Sequence, residues 1–157
     1  MNRASPRRHR GRWSCPWAIG RSRAFGVSGE GHRVLVVEDD PALREVYAGS
    51  LSELGYAVRI AGDGEAALNE LASDWKPCVV FLDLRMPGMD GWEFARRLRA
   101  EDKWKDLPIV VVAAHFRIDQ EAREVGAAAW LQKPFDLGRL DEQIRTLCPE
   151  GRTEANP

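Results

Sequence analysis

The stretch VVFLDLRMPGMDGWEF, residues 79–94, holds a strand, a loop and the start of a helix. Its apolar beginning is typical of a central strand in a parallel sheet that is covered on both faces, and we predict this strand over Cys78–Leu82. Apolar residues then recur at helical spacing, which predicts a helix over Gly91–Ala100. Asp83 lies where the strand gives way to the loop, so it is the first polar residue to consider as functional.

The alternation of strands and helices continues on both sides of this stretch. The predicted strands are Val34–Val37, Tyr56–Ile60, Cys78–Leu82, Ile109–Ala113 and Ala128–Leu131. The first predicted helix runs from Pro41 to the residue before Gly55, and the others are Gly64–Ser73, Gly91–Ala100, Asp119–Val125 and Leu137–Leu147. Asp40 is predicted to cap the first helix, and Asp63 and Asp90 are interpreted as caps or turn residues. Five such units predict an α/β fold, a doubly wound five-stranded parallel sheet with helices on both faces.

Composition and charge limit the function classes. The chain has 157 residues, 30% charged and 44% hydrophobic, which is enough length for a buried core. Residues 1–31 carry a charge of +6 and residues 32–157 a charge of −7, and such an acidic part does not resemble a nucleic-acid binder. No apolar run approaches the roughly 20 residues that a membrane-spanning helix needs. Three cysteines without metal-ligand spacing favour a reducing compartment, the cytoplasm.

The chain is predicted to have three parts. Residues 1–31 lack helical or strand periodicity and are predicted to be a disordered basic extension. Three origins stay open for it: an organellar transit peptide, a basic tail that contacts nucleic acid or lipid, and, the preferred one, a start codon assigned too far upstream. The patterned domain is expected over residues 32–148, and a short tail over residues 149–157.

Acidic residues follow two of the predicted strands, at the edge where ligands bind in folds of this class. Glu38 and Asp39 follow the first strand, and Asp83 follows the third. These carboxylates would repel one another, and a divalent cation would remove the repulsion. All-oxygen ligation of this kind suits Mg²⁺. The alternative is that Glu38 and Asp39 are only solvated loop acids.

Lys133 follows the fifth strand and precedes Pro134, which predicts a rigid turn that a cis bond would fit. The turn would direct the ammonium group into the acidic crevice, where it can form a salt bridge with Asp83 and bind a phosphoryl oxygen on that residue. An aspartate beside Mg²⁺ and a lysine can attack phosphorus, because the two cations offset the charge of the transferred group. The product of that attack is an acyl phosphate.

Three stretches, VLVVEDDPALRE, VVFLDLRMPGMDGWEF and WLQKPF, resemble the signature motifs of response-regulator receiver domains, and the resemblance covers roughly residues 32–148. It implies a flavodoxin-like sheet with the strand order 2-1-3-4-5. It also implies that Asp83 is the phosphoacceptor and that Lys133 contacts the phosphoryl group. The implied Mg²⁺ site consists of Asp39 and Asp83, Glu38 acting through water, and the backbone carbonyl of Arg85.

The chain departs from the family pattern near the fourth and fifth strands. Ala113 stands where the family usually has a Thr or Ser whose hydroxyl binds the phosphoryl group. The absence of this hydroxyl is expected to weaken the loop movement that follows phosphorylation more than it weakens phosphorylation itself, since a hydrogen bond to a charged group contributes roughly 1.5–3 kcal/mol. Trp130 replaces the usual Tyr or Phe, and beside the small Ala113 it is expected to be able to rest inward. The segment from Ala113 to Lys133, which includes His115 and Phe116, is somewhat shorter than usual.

The resemblance implies a non-enzymatic protein, a stand-alone response regulator phosphorylated by a sensor histidine kinase or a phosphotransfer protein. Only a short tail follows Leu147, so we expect output through contacts with an unknown downstream protein, without a DNA-binding domain. The alternative is a degenerate receiver that binds a protein without phosphorylation, which Ala113 favours. A haloacid-dehalogenase-like phosphatase is disfavoured, because it needs an Asp where this chain has Arg85. A flavin-binding module is disfavoured because no phosphate-cradling loop follows the first strand.

Overall fold

The computed structural model describes residues 32–114 and 117–148, which form five strands and five helices in alternation. The strands are β1 (Arg33–Val37), β2 (Ala57–Ala61), β3 (Val79–Asp83), β4 (Ile109–Ala113) and β5 (Ala129–Gln132). The helices are α1 (Pro41–Glu53), α2 (Gly64–Ala72), α3 (Gly91–Arg99), α4 (Ile118–Glu124) and α5 (Gly138–Leu147). Every predicted element is present within one residue of its predicted bounds, and the predicted extension and tail lie outside the described residues. In the described part of the chain, no helix has the length and apolar composition that a bilayer crossing requires.

The strands form one parallel sheet in the order β2-β1-β3-β4-β5, which confirms the order implied by the family resemblance. β1 and β3 are neighbours, with Val37 beside Leu82, so the residues after these two strands leave the sheet side by side. β4 lies on the other side of β3, with Val112 beside Asp83. The order of winding reverses between β1 and β3, and a crevice forms at such a point in folds of this class.

Two apolar layers cover the sheet, because successive residues of a strand point to opposite faces. Leu35 and Val37 of β1 belong to one layer, and Val34 and Val36 belong to the other. Helices α2, α3 and α4 close the first layer with Ala67, Leu71, Phe94, Leu98, Ile118 and Ala122. Helices α1 and α5 close the second layer with Tyr47, Leu51, Leu140 and Ile144. Every residue of β3 is buried, which confirms the prediction of a central strand covered on both faces.

Aspartate side chains begin the three helices that follow β1, β2 and the loop after β3. Asp40 accepts a hydrogen bond from the amide of Ala42 at 2.9 Å, and Pro41 occupies the first helical position. Asp63 and Asp90 each accept a hydrogen bond from the amide three residues later, at 2.8 and 2.9 Å. The capping predictions are therefore confirmed, and these three carboxylates satisfy helix N–H groups.

Strand β2 begins one residue later than predicted, because the chain is still tightly wound at the end of α1. Gly55 has a φ of 93°, a left-handed conformation that favours glycine. The N–H groups of Gly55 and Tyr56 donate to the carbonyls of Ser52 and Leu51. Tyr56 therefore belongs to the terminal turn of the helix, although its apolar character fits the strand pattern.

Gly91, the first residue of α3, is predicted to be intolerant of a side chain. A Cβ atom there would lie 2.6 Å from the carbonyl oxygen of Asp83 and 2.6 Å from Cα of Leu84, and backbone atoms cannot yield as a flexible side chain does. We expect Gly91→Ala to lower the free energy of unfolding by about 1–3 kcal/mol, measured by urea denaturation.

Gly49→Ala is the matched control, because Gly49 lies inside α1 and its added Cβ would meet nothing within 4 Å. This variant is expected to gain roughly 0.5–1 kcal/mol through the lower backbone entropy of the unfolded chain. Equal stability changes in the two variants would show that close approach at Gly91 is unimportant.

Candidate functional site

Three carboxylates meet at the carboxyl edge of the sheet. Glu38 and Asp39 follow β1, Asp83 ends β3, and oxygen atoms of the three side chains lie within 4.8 Å of one another. Glu38 is 2% exposed and Asp83 is 8% exposed, whereas Asp39 is partly exposed. The residues predicted to form one acidic crevice are thus brought together, because β1 and β3 are paired in the sheet.

Lys133 reaches the same crevice from the end of β5. Its amide donates to the carbonyl of Ala113 at 2.8 Å, and its peptide bond to Pro134 is cis, as expected from the sequence. Its Nζ donates to Oε2 of Glu38 at 2.9 Å and lies 3.9 Å from Oδ2 of Asp83. The expected pairing with Asp83 is therefore present as a long contact, and the short hydrogen bond goes to the more deeply buried Glu38.

The crevice contains more negative charge than one lysine offsets. Burial raises the pKa of Asp83 to about 7, and the charge of Glu38 adds to the effect. Lys133 and the amide of Arg85, which donates to Oδ1 of Asp83 at 3.1 Å, act in the opposite direction on that pKa. For Lys133, burial alone would lower the pKa, but the hydrogen bond and charge of Glu38 outweigh it, so the pKa is raised. The lysine is therefore held as a cation.

The donor set fits a hard divalent cation. All candidate side-chain ligands are carboxylate oxygens, and a cation at their centre would relieve the repulsion that raises the pKa of Asp83. Glu38 accepts hydrogen bonds from Lys133 and, at 3.4 Å, from the amide of Asp40, and its action through water stays a prediction. The role of the Arg85 carbonyl as a ligand stays a prediction.

Two side-chain contacts near the crevice were not expected from the sequence. The guanidinium of Arg85 extends from the β3–α3 loop to Glu121 of α4, with 3.4 Å between Nη2 and Oε1. Tyr47 of α1 stacks on Phe135 with 5.6 Å between the ring centroids. Burial raises the pKa of Tyr47, while the charge of Lys133 lowers it and that of Glu38 raises it. No sequence signal links Arg85 to Glu121.

Ala113 and Trp130, the two positions that depart from the family pattern, have different outcomes. Ala113 is buried at the end of β4 and its methyl group cannot donate a hydrogen bond to the crevice. Trp130, which was expected to be able to rest inward, is 44% exposed and is not among the residues of either core layer. Leu131 is the buried residue of β5 and belongs to the second layer, so its neighbour Trp130 lies on the opposite face of this edge strand. His115 and Phe116 lie outside the described residues.

The raised pKa of Asp83 predicts a stability that depends on pH. Between about pH 4 and 7 the folded chain binds more protons than the unfolded chain, so the free energy of unfolding falls as the pH rises. Asp83→Asn removes the ionisation, and we expect it to stabilise the metal-free protein by roughly 2–4 kcal/mol at pH 8 and by little at pH 4. Urea denaturation in the presence of a chelator measures the difference.

Asp74→Asn is the control for this experiment, because it removes one carboxylate from an exposed loop. We expect no comparable gain in stability. A gain in Asp83→Asn that is equal at both pH values would contradict the electrostatic explanation.

Comparison with known proteins agrees with this geometry. Residues 34–145 match the model of the response regulator receiver domain. The response regulator MprA of Mycolicibacterium vanbaalenii is 44% identical over 117 residues, which cover 73% of this chain and 49% of MprA. MprA of Mycobacterium tuberculosis is 41% identical over 124 residues, 78% of this chain and 53% of MprA. The chain thus spans about half the length of these curated relatives.

Solved structures show the same fold. The chemotaxis protein CheY4 of Vibrio cholerae is 31% identical, with a TM-score of 0.68 over 74% of this chain and 98% of CheY4. The response regulator TrrA of Thermotoga maritima, solved in complex with Mg²⁺ and BeF, is 33% identical, with a TM-score of 0.66 over 74% of this chain and 98% of TrrA. The family match and the CheY-like fold agree with the crevice of Asp83 and Lys133, and the chain belongs to the response regulator receiver domain family.

Proposed function

We propose that this receiver domain accepts a phosphoryl group on Asp83 from a sensor histidine kinase or a phosphotransfer protein. The observation that carries the proposal is the placement of one buried aspartate between two further carboxylates and a lysine. TrrA, which has the same fold, was solved with Mg²⁺ and BeF, and this supports Mg²⁺ as the cation for the carboxylates of the present chain.

The transfer itself requires few groups. A carboxylate oxygen of Asp83 attacks phosphorus, a P–O bond forms, the P–N bond to the donor histidine breaks, and the imidazole takes a proton from solvent. Lys133, 3.9 Å from Oδ2 of Asp83, offsets charge on the transferred oxygens. When bound, Mg²⁺ would supply further positive charge from the side of Asp39. The protein contributes position and charge more than covalent chemistry.

We propose a phosphoacceptor and not a hydrolytic enzyme. A phosphatase with an aspartyl-phosphate intermediate needs a second carboxyl group as general acid two positions after the nucleophile. This chain has Arg85 there, and its amide donates to Asp83. An arginine is not a proton donor at physiological pH.

The output is proposed to pass through contacts between the receiver and a downstream protein, as in a stand-alone regulator. The charge of −7 over residues 32–157 disfavours direct binding of this domain to DNA. The cytoplasm is the proposed location, because a receiver must meet its kinase there.

A degenerate receiver that binds its partner without phosphorylation is the second candidate. Ala113 favours it, because a buried methyl group stands where a hydroxyl would sense the phosphoryl group. The complete set of Glu38, Asp39, Asp83 and Lys133 favours the phosphoacceptor, because an unused buried acidic crevice only costs stability.

Phosphorylation of Asp83 is tested by intact mass measurement after incubation with Mg²⁺ and acetyl phosphate. The wild-type protein and Asp74→Asn are expected to gain the mass of one phosphoryl group. Asp83→Asn is expected to gain none, and a chelator is expected to prevent the gain in the wild type. No gain in the wild type would favour the degenerate receiver, and an equal gain in Asp83→Asn would refute the assignment of the site.

The missing hydroxyl is tested by Ala113→Thr. We expect this variant to enlarge the effect of phosphorylation on hydrogen exchange in α4, because a hydrogen bond to a charged group contributes roughly 1.5–3 kcal/mol. Ala113→Val is the matched control, since valine has the shape of threonine without the hydroxyl. If both variants respond as the wild type does, the hydroxyl has no part in coupling.

A further inference from the structure

We propose that Arg85 senses the phosphoryl group in place of the missing hydroxyl. When Asp83 is phosphorylated, the guanidinium of Arg85 leaves the carboxylate of Glu121 and binds phosphoryl oxygens. Because the Arg85–Glu121 ion pair is then lost, α4 is held less firmly. The proposal rests on the phosphoacceptor function of Asp83 and assigns the route by which the modification reaches a neighbouring helix.

Arg85 is bonded to Asp83 through its backbone, and its side chain extends to Glu121 and Trp92. Its amide donates to Oδ1 of Asp83 at 3.1 Å, so the residue is adjacent to the site of modification. Its side chain is 59% exposed, and Nη2 is 3.4 Å from Oε1 of Glu121, which is long for a charge-assisted hydrogen bond. Cζ lies 5.7 Å from the ring centroid of Trp92. Both the exposure of the guanidinium and its long contact with Glu121 favour an exchange of this one partner.

Glu121 depends on Arg85 more than Arg85 depends on Glu121. The side chain of Glu121 is 15% exposed, although it carries a charge. Its Oε2 is buried and has no hydrogen-bond partner within the described residues. A buried carboxylate that loses its counter-ion is strongly disfavoured, so removal of Arg85 would force Glu121 towards water.

Helix α4, which carries Glu121, is only weakly anchored. It has seven residues, and the side chain of its N-cap residue, Arg117, makes no capping hydrogen bond. Two of its side chains, Ile118 and Ala122, are buried in the core. A short helix without a side-chain cap is sensitive to the loss of one supporting ion pair.

A phosphoryl group on Asp83 is a stronger partner for Arg85 than Glu121 is. It brings close to two negative charges and three acceptor oxygens, and the planar guanidinium can bind two of these oxygens at once. Arg85 is two residues from Asp83, and its amide already donates to Oδ1 of Asp83 at 3.1 Å. Lys133 approaches from the end of β5, whereas Arg85 follows β3, so the ammonium and guanidinium groups would bind different phosphoryl oxygens.

The experiment compares hydrogen exchange of α4 amides with and without acetyl phosphate and Mg²⁺, and intact mass reports phosphorylation in the same samples. In the wild type we expect phosphorylation to accelerate exchange in α4 by about threefold or more. Glu121→Gln keeps the shape of the side chain and needs no counter-ion. It is expected to be phosphorylated normally while α4 stays protected in both states.

Asp119→Asn is the matched control, because it breaks an ion pair on the same helix, with Arg123 at 3.1 Å, that does not involve Arg85. This variant is expected to keep the full response. Arg85→Met leaves Glu121 without its partner, and we expect fast exchange in α4 before any phosphate is added. If the ion pair were merely structural, α4 amides would be less protected from hydrogen exchange in both Glu121→Gln and Arg85→Met. If Arg85 changes partners as proposed, α4 is protected in Glu121→Gln and unprotected in Arg85→Met.

The outcomes separate the two proposals. A wild-type protein that gains no phosphoryl mass overturns the phosphoacceptor function and with it the role of Arg85. A phosphorylated wild type with unchanged α4 exchange, or a Glu121→Gln variant that keeps the full response, overturns the exchange of partners and leaves phosphorylation of Asp83 intact.

Discussion

The crowding of like charges at the edge of the sheet is the constraint on which the site depends. Glu38 and Asp83 are almost fully buried, and the pKa of Asp83 is raised to about 7 because burial and Glu38 both oppose its ionisation. Lys133 offsets part of this charge through its hydrogen bond to Glu38. The remaining imbalance fits a bound cation, which would also offset charge on the phosphoryl group that we propose Asp83 accepts.

The parallel sheet keeps this arrangement in place. β1 and β3 pair through consecutive residues up to Val37 and Leu82, so the carboxylates that follow cannot separate without breaking the central pair of strands. Both strands are covered by apolar layers, and Gly91 lets α3 approach the end of β3 closely. The stability of the core thus maintains an electrostatically unfavourable edge.

The route that we propose for a signal from this edge differs from the family pattern. Ala113 offers no hydroxyl, and Trp130 already lies outside the core layers. The ion pair of Arg85 with Glu121 instead connects the loop after the phosphoacceptor to α4. The negative charge of a phosphoryl group on Asp83 would attract the guanidinium of Arg85, so this route does not need a hydroxyl group at the end of β4.

The sequence by itself determined the alternation of elements, the three capping aspartates and the group of Glu38, Asp39, Asp83 and Lys133. Each of these follows from local periodicity or from the rule that strand ends meet at one edge. Only the tertiary structure decided that Lys133 bonds to Glu38 more closely than to Asp83, that Trp130 is left partly exposed, and that Arg85 contacts Glu121. These outcomes depend on side-chain directions and on contacts between residues far apart in the chain, which local patterns do not contain.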